Sequence, residues 1–211
     1  MKKIIVFDCD STLSCIEGID ELGRILDADT FAQVEHLTND AMDGKLPLDE
    51  VFPKRMELIA PSAQEAEAIA QMYIDKVEST AIATLKTLRE QGWVLMILSG
   101  GFAPLIQPLA DLLEIEEVHA VPIYFDEQGN YASYGKDYPT TRNQGKVEII
   151  NDIKSRHNPD KIIMVGDGIS DLETKPVVDK FIGFSGFIAR DKVIADADVV
   201  INSLDELIEI L

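Results

Sequence analysis

The chain has 211 residues, which at roughly 100 to 200 residues per domain is one domain, or one carrying an insert, and excludes a repeat array or a large multidomain assembly. Hydrophobic residues make up 46% and charged residues 27%, a globular balance that excludes a disordered chain. Against 19 Lys+Arg stand 38 Asp+Glu, a net charge of -19, so nucleic acid and anionic membranes are repelled, and a small anionic ligand needs a metal ion or local basic groups to reverse the field.

The apolar run Ile4-Ile5-Val6-Phe7 after Met1-Lys2-Lys3 is cut by Asp8, too short for a secretory leader. No segment approaches the ~20 apolar residues of a membrane span. Two cysteines, Cys9 and Cys15, make neither a disulfide framework nor a paired zinc signature, so a reduced cytoplasmic enzyme is expected. Residues 4–7 read as a buried parallel strand. From about Ser14 to Lys76 the pattern is helical and acidic, with Ser62-x-x-Glu65 as a capping box. Ser79 to Gln91 reads as a helix with Ile82, Leu85 and Leu88 on one face and Gly92 as its stop. Trp93 to Leu98 is a second strand, followed by a Ser-Gly-Gly loop and a helix that Pro104 suits and Pro108 should kink or delay.

Residues 118–125 form a weaker strand, and Tyr124 to Tyr138 a hairpin around Gly129-Asn130. Val147, Ile150 and Ile153 mark a helix, Ile162 to Val165 a third strong strand, and residues 181–184 and 199–201 weaker ones. Strands alternating with helices predict an α/β fold built on a doubly wound, mostly parallel sheet. Residues 1–13 and 77–211 would be its core, and residues 14–76 a helical insert after the first strand. His36, His119 and His157 lack ligand spacing.

In such a sheet the ligand crevice lies at the carboxyl ends of the strands. The three strong strands end in Asp8-Cys9-Asp10-Ser11-Thr12, Ser99-Gly100-Gly101 and Gly166-Asp167-Gly168-Ile169-Ser170-Asp171. Asp8, Asp10, Asp167 and Asp171 would crowd one end of the sheet and repel one another unless a hard cation sits among them; oxygen-only ligands favour Mg²⁺. Ser99 offers a hydroxyl, and Gly100 and Gly101 let backbone N–H groups approach an anion. Lys146 stands in the first turn of a helix, where its charge opposes the macrodipole, a position that suits a clamp on a phosphate.

Together with Lys146, these three clusters resemble the four motifs of the haloacid dehalogenase superfamily. The extended first motif, running on to Glu17-Gly18-Ile19-Asp20-Glu21-Leu22, and Ala41-Met42-Asp43-Gly44-Lys45-Leu46 with Arg55, are similar to the branch that hydrolyses O-phosphoserine. Ser170 stands where many bacterial members carry Asn, and Leu48 where an aromatic residue often lines the pocket. The resemblance implies a Mg²⁺-dependent phosphomonoesterase acting in the last step of serine biosynthesis. It implies Asp8 as nucleophile and Asp10 as general acid and base. The metal would be held by Asp8, the backbone carbonyl of Asp10 and Asp167, with Asp171 orienting Lys146 or a metal-bound water. The substrate would be held by Ser99, Gly100, Gly101, Lys146 and Ser170, with Met42, Glu17 on its ammonium and Arg55 on its carboxylate. Two alternatives use related residues: a phosphotransferase passing the phosphoryl group to another alcohol such as homoserine, and a phospho-accepting signalling domain, which has no use for Asp10 or a helical cap.

Overall fold

The computed structural model describes residues 1–211. Strand β1 (Lys3–Phe7) is followed by four helices, α1 (Gly18–Leu26), α2 (Ala28–Met42), α3 (Leu48–Ile59) and α4 (Ala63–Asp75), and then by α5 (Ala81–Glu90). The chain continues through β2 (Trp93–Phe102), α6 (Ala103–Leu112), β3 (Glu117–Val121), the hairpin β4 (Ile123–Phe125) and β5 (Tyr131–Tyr134), and α7 (Gly145–His157). It closes with β6 (Lys161–Gly166), α8 (Ile169–Leu172), β7 (Lys180–Phe184), α9 (Asp191–Asp196), β8 (Val199–Ile201) and α10 (Leu207–Ile210).

Six strands form one parallel sheet in the order β3-β2-β1-β6-β7-β8, confirming the expected α/β class. Strand alternation sends Ile5, Phe7, Ile97 and Val165 into one core with Leu85 and Leu88 of α5 and Leu105 and Leu109 of α6. Ile4, Val6, Met96 and Met164 enter the opposite core with Ile149, Ile150 and Ile153 of α7. Such continuous burial is why these runs are apolar at every position. Strand β1 is flanked by β2 and β6, with Phe7 opposite both Ile97 and Val165, so the residues following all three strands emerge side by side. No helix is long and apolar enough to cross a membrane.

Four expectations need correction. Ile82 is 50% exposed, because Ala81, Thr84, Leu85 and Leu88 already fill the i, i+3, i+4, i+7 stripe of α5 and leave it at the edge. Pro108 does not delay α6; the helix already begins at Ala103 and runs through it, with Leu105, Ile106, Leu109 and Ala110 buried around it. Ser99-Gly100-Gly101 is the end of β2 and not a loop, at a register shift against β3 between Leu98 and Phe102. The strand expected over residues 118–125 is two strands parted at Pro122, which cannot donate to a ladder. The Ser62–Glu65 capping box is present, with Ser62 Oγ accepting from the Glu65 N–H and Glu65 Oε2 accepting from the Ser62 N–H.

Candidate active site

Asp8 extends β1 by one residue, its N–H donating to the Val165 carbonyl at 2.8 Å, and its carboxylate is buried. Opposite lies Lys146, with Nζ 2.8 Å from Asp8 Oδ1 and 2.5 Å from Asp171 Oδ1. The turn that delivers this lysine is specified by the glycine before it. A Cβ on Gly145 would lie 1.7 Å from the Pro139 carbonyl oxygen, so no other residue fits where the chain enters α7 from Gln144 at φ 61°. Burial pulls the ammonium toward neutrality, but Asp171 and Asp8 more than offset it and hold Lys146 charged.

Asp167, on the loop after β6, accepts from Arg190 Nε at 3.2 Å, and Arg190 also reaches Asp43 Oδ1 at 3.1 Å. Burial raises the Asp167 carboxyl, and the charges of Asp8 and Asp171 raise it further. Asp171 is pushed up to about 7 by burial and Asp8, against the pull of Lys146 and the Gly168 N–H. Carboxylate oxygens of Asp8, Asp167 and Asp171 lie within 4.8 Å of one another. A buried, oxygen-only triad in which the Asp8 charge raises both Asp167 and Asp171 fits a divalent cation, which would relieve that repulsion.

Asp10 points elsewhere. Its Oδ1 accepts from the Gly18 N–H at 2.8 Å and from the Tyr73 hydroxyl, and its Oδ2 from Ser99 Oγ at 3.1 Å. Burial and the Asp8 charge raise this carboxyl, partly countered by the three donors. Ser99 Oγ also accepts from the Gly101 N–H at 2.9 Å. Asp8, Asp10, Glu17, Met42, Arg55, Gly100, Gly101, Lys146, Asp167 and Ser170 line one cavity, while Ser99 and Asp171 lie behind its wall.

The far end of the cavity is built by the helices between β1 and β2. Glu17 accepts from Ser11 Oγ at 2.7 Å, and burial together with Asp10, Asp167 and Asp20 pushes its carboxyl well above the usual range. Arg55 is buried; its Nη1 donates to Thr38 Oγ1 at 3.1 Å, Thr38 donates to Asp20, and Nε has no partner. Burial raises the Asp20 carboxyl to about 6, against the Thr38 bond and the Arg55 charge. The folded state therefore keeps a proton on Asp20 between about pH 4, where the unfolded chain loses it, and about pH 6. Stability from this group is complete below about pH 4 and declines by about 2–3 kcal/mol as pH rises through 6. Asp20→Asn, which still accepts from Thr38, should gain in thermal midpoint over the parent between pH 4.5 and 6.5; a pH-independent difference would contradict this.

Sequence reasoning missed several residues of the site. Ile19, Phe52 and Thr140 line the cavity, Tyr73 touches Asp10, and Arg190 touches Asp167. Gly166-Asp167-Gly168 signals an anionic centre, but no local pattern marks Arg190 as its partner 23 residues on.

A strand-end carboxylate beside a buried lysine and an acidic triad, at the carboxyl edge of a parallel sheet, defines a phosphoryl-transfer site. The chain belongs to the haloacid dehalogenase-like hydrolase family, whose model matches residues 2–174. It is 33% identical over 208 residues to a phosphoserine phosphatase of Drosophila melanogaster, covering 97% of this chain and 76% of that one. A phosphoserine phosphohydrolase-like protein of Francisella tularensis superposes with a TM-score of 0.91 at 25% identity, over 100% of both chains. A phospho-aspartyl intermediate analogue of phosphoserine phosphatase superposes with a TM-score of 0.86 at 26% identity, over 100% of this chain and 99% of that one.

Proposed function

We propose that the protein is a Mg²⁺-dependent phosphatase that hydrolyses O-phosphoserine through an aspartyl-phosphate on Asp8. The observation that carries the reading is one buried cavity pairing Asp8 and Lys146 with a separate acid, Glu17, and a separate base, Arg55. Phosphoserine is a zwitterion beyond its phosphate: Arg55 matches its carboxylate, and its ammonium would draw the raised Glu17 carboxyl to the charged form. The likeness to phosphoserine phosphatases and to a phospho-aspartyl analogue supports the same substrate and intermediate. Free Cys9 and Cys15 fit a reducing compartment, the cytoplasm.

In this mechanism Asp8 attacks the phosphorus, and its carboxylate oxygen displaces the serine oxygen, splitting one displacement into two. Asp10 protonates the departing serine oxygen, then takes a proton from the water that attacks the aspartyl-phosphate. Lys146 and the Gly100 amide hold the phosphoryl oxygens, with Gly101 and Ser170 lining the cavity beside them. Ser99 supports this wall through the Gly101 N–H and Asp10. Asp8 and Asp167, with the carbonyl of Asp10, would hold Mg²⁺, and Asp171, occupied by Lys146 and the Gly168 N–H, would orient the lysine. The bound ion shields the anionic nucleophile from the anionic phosphate. Met42 and Leu48 pack around the serine moiety, and residues 14–76 act as a cap over a core of residues 1–13 and 77–211, excluding bulk water.

Phosphate release across a panel of phosphomonoesters, with Mg²⁺ and with EDTA, tests the assignment; a better substrate than phosphoserine in that panel would displace it. Product analysis with added homoserine tests for phosphoryl transfer instead of hydrolysis. Arg55→Ala should lower kcat/KM for phosphoserine by roughly ten- to a hundredfold, the loss of a charge-assisted bond of about 1.5–3 kcal/mol. On p-nitrophenyl phosphate, which lacks the carboxylate, it should stay within a few-fold, and Glu17→Gln should repeat the asymmetry through the ammonium. Equal losses on both esters would assign the pair to cap closure, and no loss on phosphoserine would remove it as the substrate.

A further inference from the structure

Asp10 is gripped from both ends of the helical segment. The Gly18 N–H at the start of α1 and the Tyr73 hydroxyl in the last turn of α4 donate to the same oxygen, Oδ1. Tyr73 is fully buried and packs in the same core as Phe52, Ile69 and Leu22. Its hydroxyl has one hydrogen-bond partner, Asp10. A phenol in that setting carries a desolvation cost that phenylalanine would avoid, so the bond to Asp10 accounts for the tyrosine. The local sequence makes room for it: a Cβ on Gly18 would lie 2.1 Å from the Tyr73 hydroxyl oxygen.

The donor count at Asp10 has a chemical result. An amide N–H can only donate, and a phenol whose one hydrogen-bond partner is a carboxylate oxygen donates as well. With two donors on Oδ1, a proton carried by Asp10 belongs on Oδ2. That oxygen meets only the Ser99 hydroxyl, at 3.1 Å, which unlike the amide can turn from donor to acceptor, and it lies 2.9 Å from where a Cβ on Gly101, a residue lining the cavity, would stand.

We propose that Tyr73 is a positioning residue for the reaction: its hydroxyl fixes the rotamer of Asp10 and confines the transferable proton to Oδ2, tying the acid–base group to α4. The proposal rests on the acid–base reading of Asp10 given above. When the phosphorus–serine oxygen bond breaks, its electron pair stays on the serine oxygen, which takes the proton from Oδ2. When water then attacks the aspartyl-phosphate, Oδ2 accepts the proton from water as the bond between phosphorus and the Asp8 oxygen breaks. Neither step adds or removes electrons beyond these pairs, and Tyr73 keeps its own proton throughout.

The test compares Tyr73→Phe with Asp10→Asn on phosphoserine and on p-nitrophenyl phosphate, by steady-state and rapid-mixing kinetics with Mg²⁺ present. Serine leaves as a strongly basic alkoxide unless protonated, whereas p-nitrophenolate leaves without help. Tyr73→Phe should lower kcat on phosphoserine by roughly ten- to a hundredfold, with KM within about twofold. On p-nitrophenyl phosphate it should keep a stoichiometric burst of p-nitrophenolate near the parent rate, followed by slow turnover as the aspartyl-phosphate waits for its base. Gly18→Ala, whose Cβ would overlap the Tyr73 hydroxyl and ring edge while residue 18 keeps its own N–H for Asp10, should displace the hydroxyl and give the same pattern, as a second variant if Tyr73→Phe does not fold. Equal slowing of the burst and of phosphoserine turnover, or a raised KM at unchanged kcat, would assign Tyr73 to packing and overturn the proposal. If Asp10→Asn itself treats the two esters alike, the acid–base role of Asp10 falls; if only Asp10→Asn separates them, the role of Tyr73 falls and that of Asp10 stands.

Discussion

Asp8→Asn should abolish turnover, a loss on the order of 10⁴-fold or more, and leave no trappable phosphoenzyme. The substitution keeps the size of the side chain and its place at the end of β1, where the backbone bond to Val165 is unaffected. What it removes is the nucleophilic oxygen pair and one negative charge. That charge belongs to one of three carboxylates within 4.8 Å of one another, and its loss eases their repulsion while Lys146 keeps Asp171. The metal-free variant should therefore unfold no earlier than the parent, so that lost activity reports chemistry and not unfolding. Phosphate release and acid-quenched labelling from phosphoserine measure the two halves of the expectation. Near-normal activity in the amide would remove the covalent route altogether, and covalent label on the Asp8→Asn protein would move the nucleophile elsewhere.

Much of this site is legible in the sequence because strong local signals and the long-range geometry coincide. Residues 4–7, 93–98 and 162–165 are apolar at every position, and buried at all but Val94, because both sheet faces are covered, and a parallel sheet puts the residues after each run at one edge. Asp8, Ser99 and Asp167 are thus brought together by topology alone. The signal weakens where one residue acts across the fold. Tyr73 at helical spacing among Ile69, Ala70 and Met72 reads as core, which it is, and nothing local reveals that its hydroxyl meets a residue 63 positions earlier. Arg190 follows the short stretch after β7 and looks like a surface base, yet it is buried against Asp167 and Asp43. The errors in the fold have the same origin. Glycines and prolines carry strong local preferences, but the neighbours of β2 and the packing of α6 override them at Gly100 and Pro108.

Lys146→Met should be the most destabilising substitution in the site, and the size of the loss should depend on metal and pH. The ammonium is 4% exposed and stands between Asp8 and Asp171; with it gone, Arg190 on Asp167 is the nearest compensating charge. Removing one partner of a buried ion pair typically costs about 3–5 kcal/mol, and methionine fills the space without restoring the charge. Without the ammonium, Asp171 loses the charge that pulls its carboxyl down and keeps its proton to higher pH, so the folded variant binds more protons than the unfolded chain over a wider range. Its stability should then fall more steeply than the parent's as pH rises from about 5 to 8. A divalent cation no longer repelled by the lysine relieves the same charge, so the gain in thermal midpoint on adding Mg²⁺ should be larger in the variant than in the parent. Activity should still fall by roughly 10²–10³-fold, because Mg²⁺ cannot replace the donor that Lys146 directs at the phosphoryl oxygens. Thermal unfolding in EDTA and in Mg²⁺ at two pH values, beside phosphate release, resolves these effects. A variant whose midpoint responds to Mg²⁺ no more than the parent's would mean that the cation is not held by Asp8 and Asp167. Restored activity in Mg²⁺ would mean that Lys146 serves the fold alone.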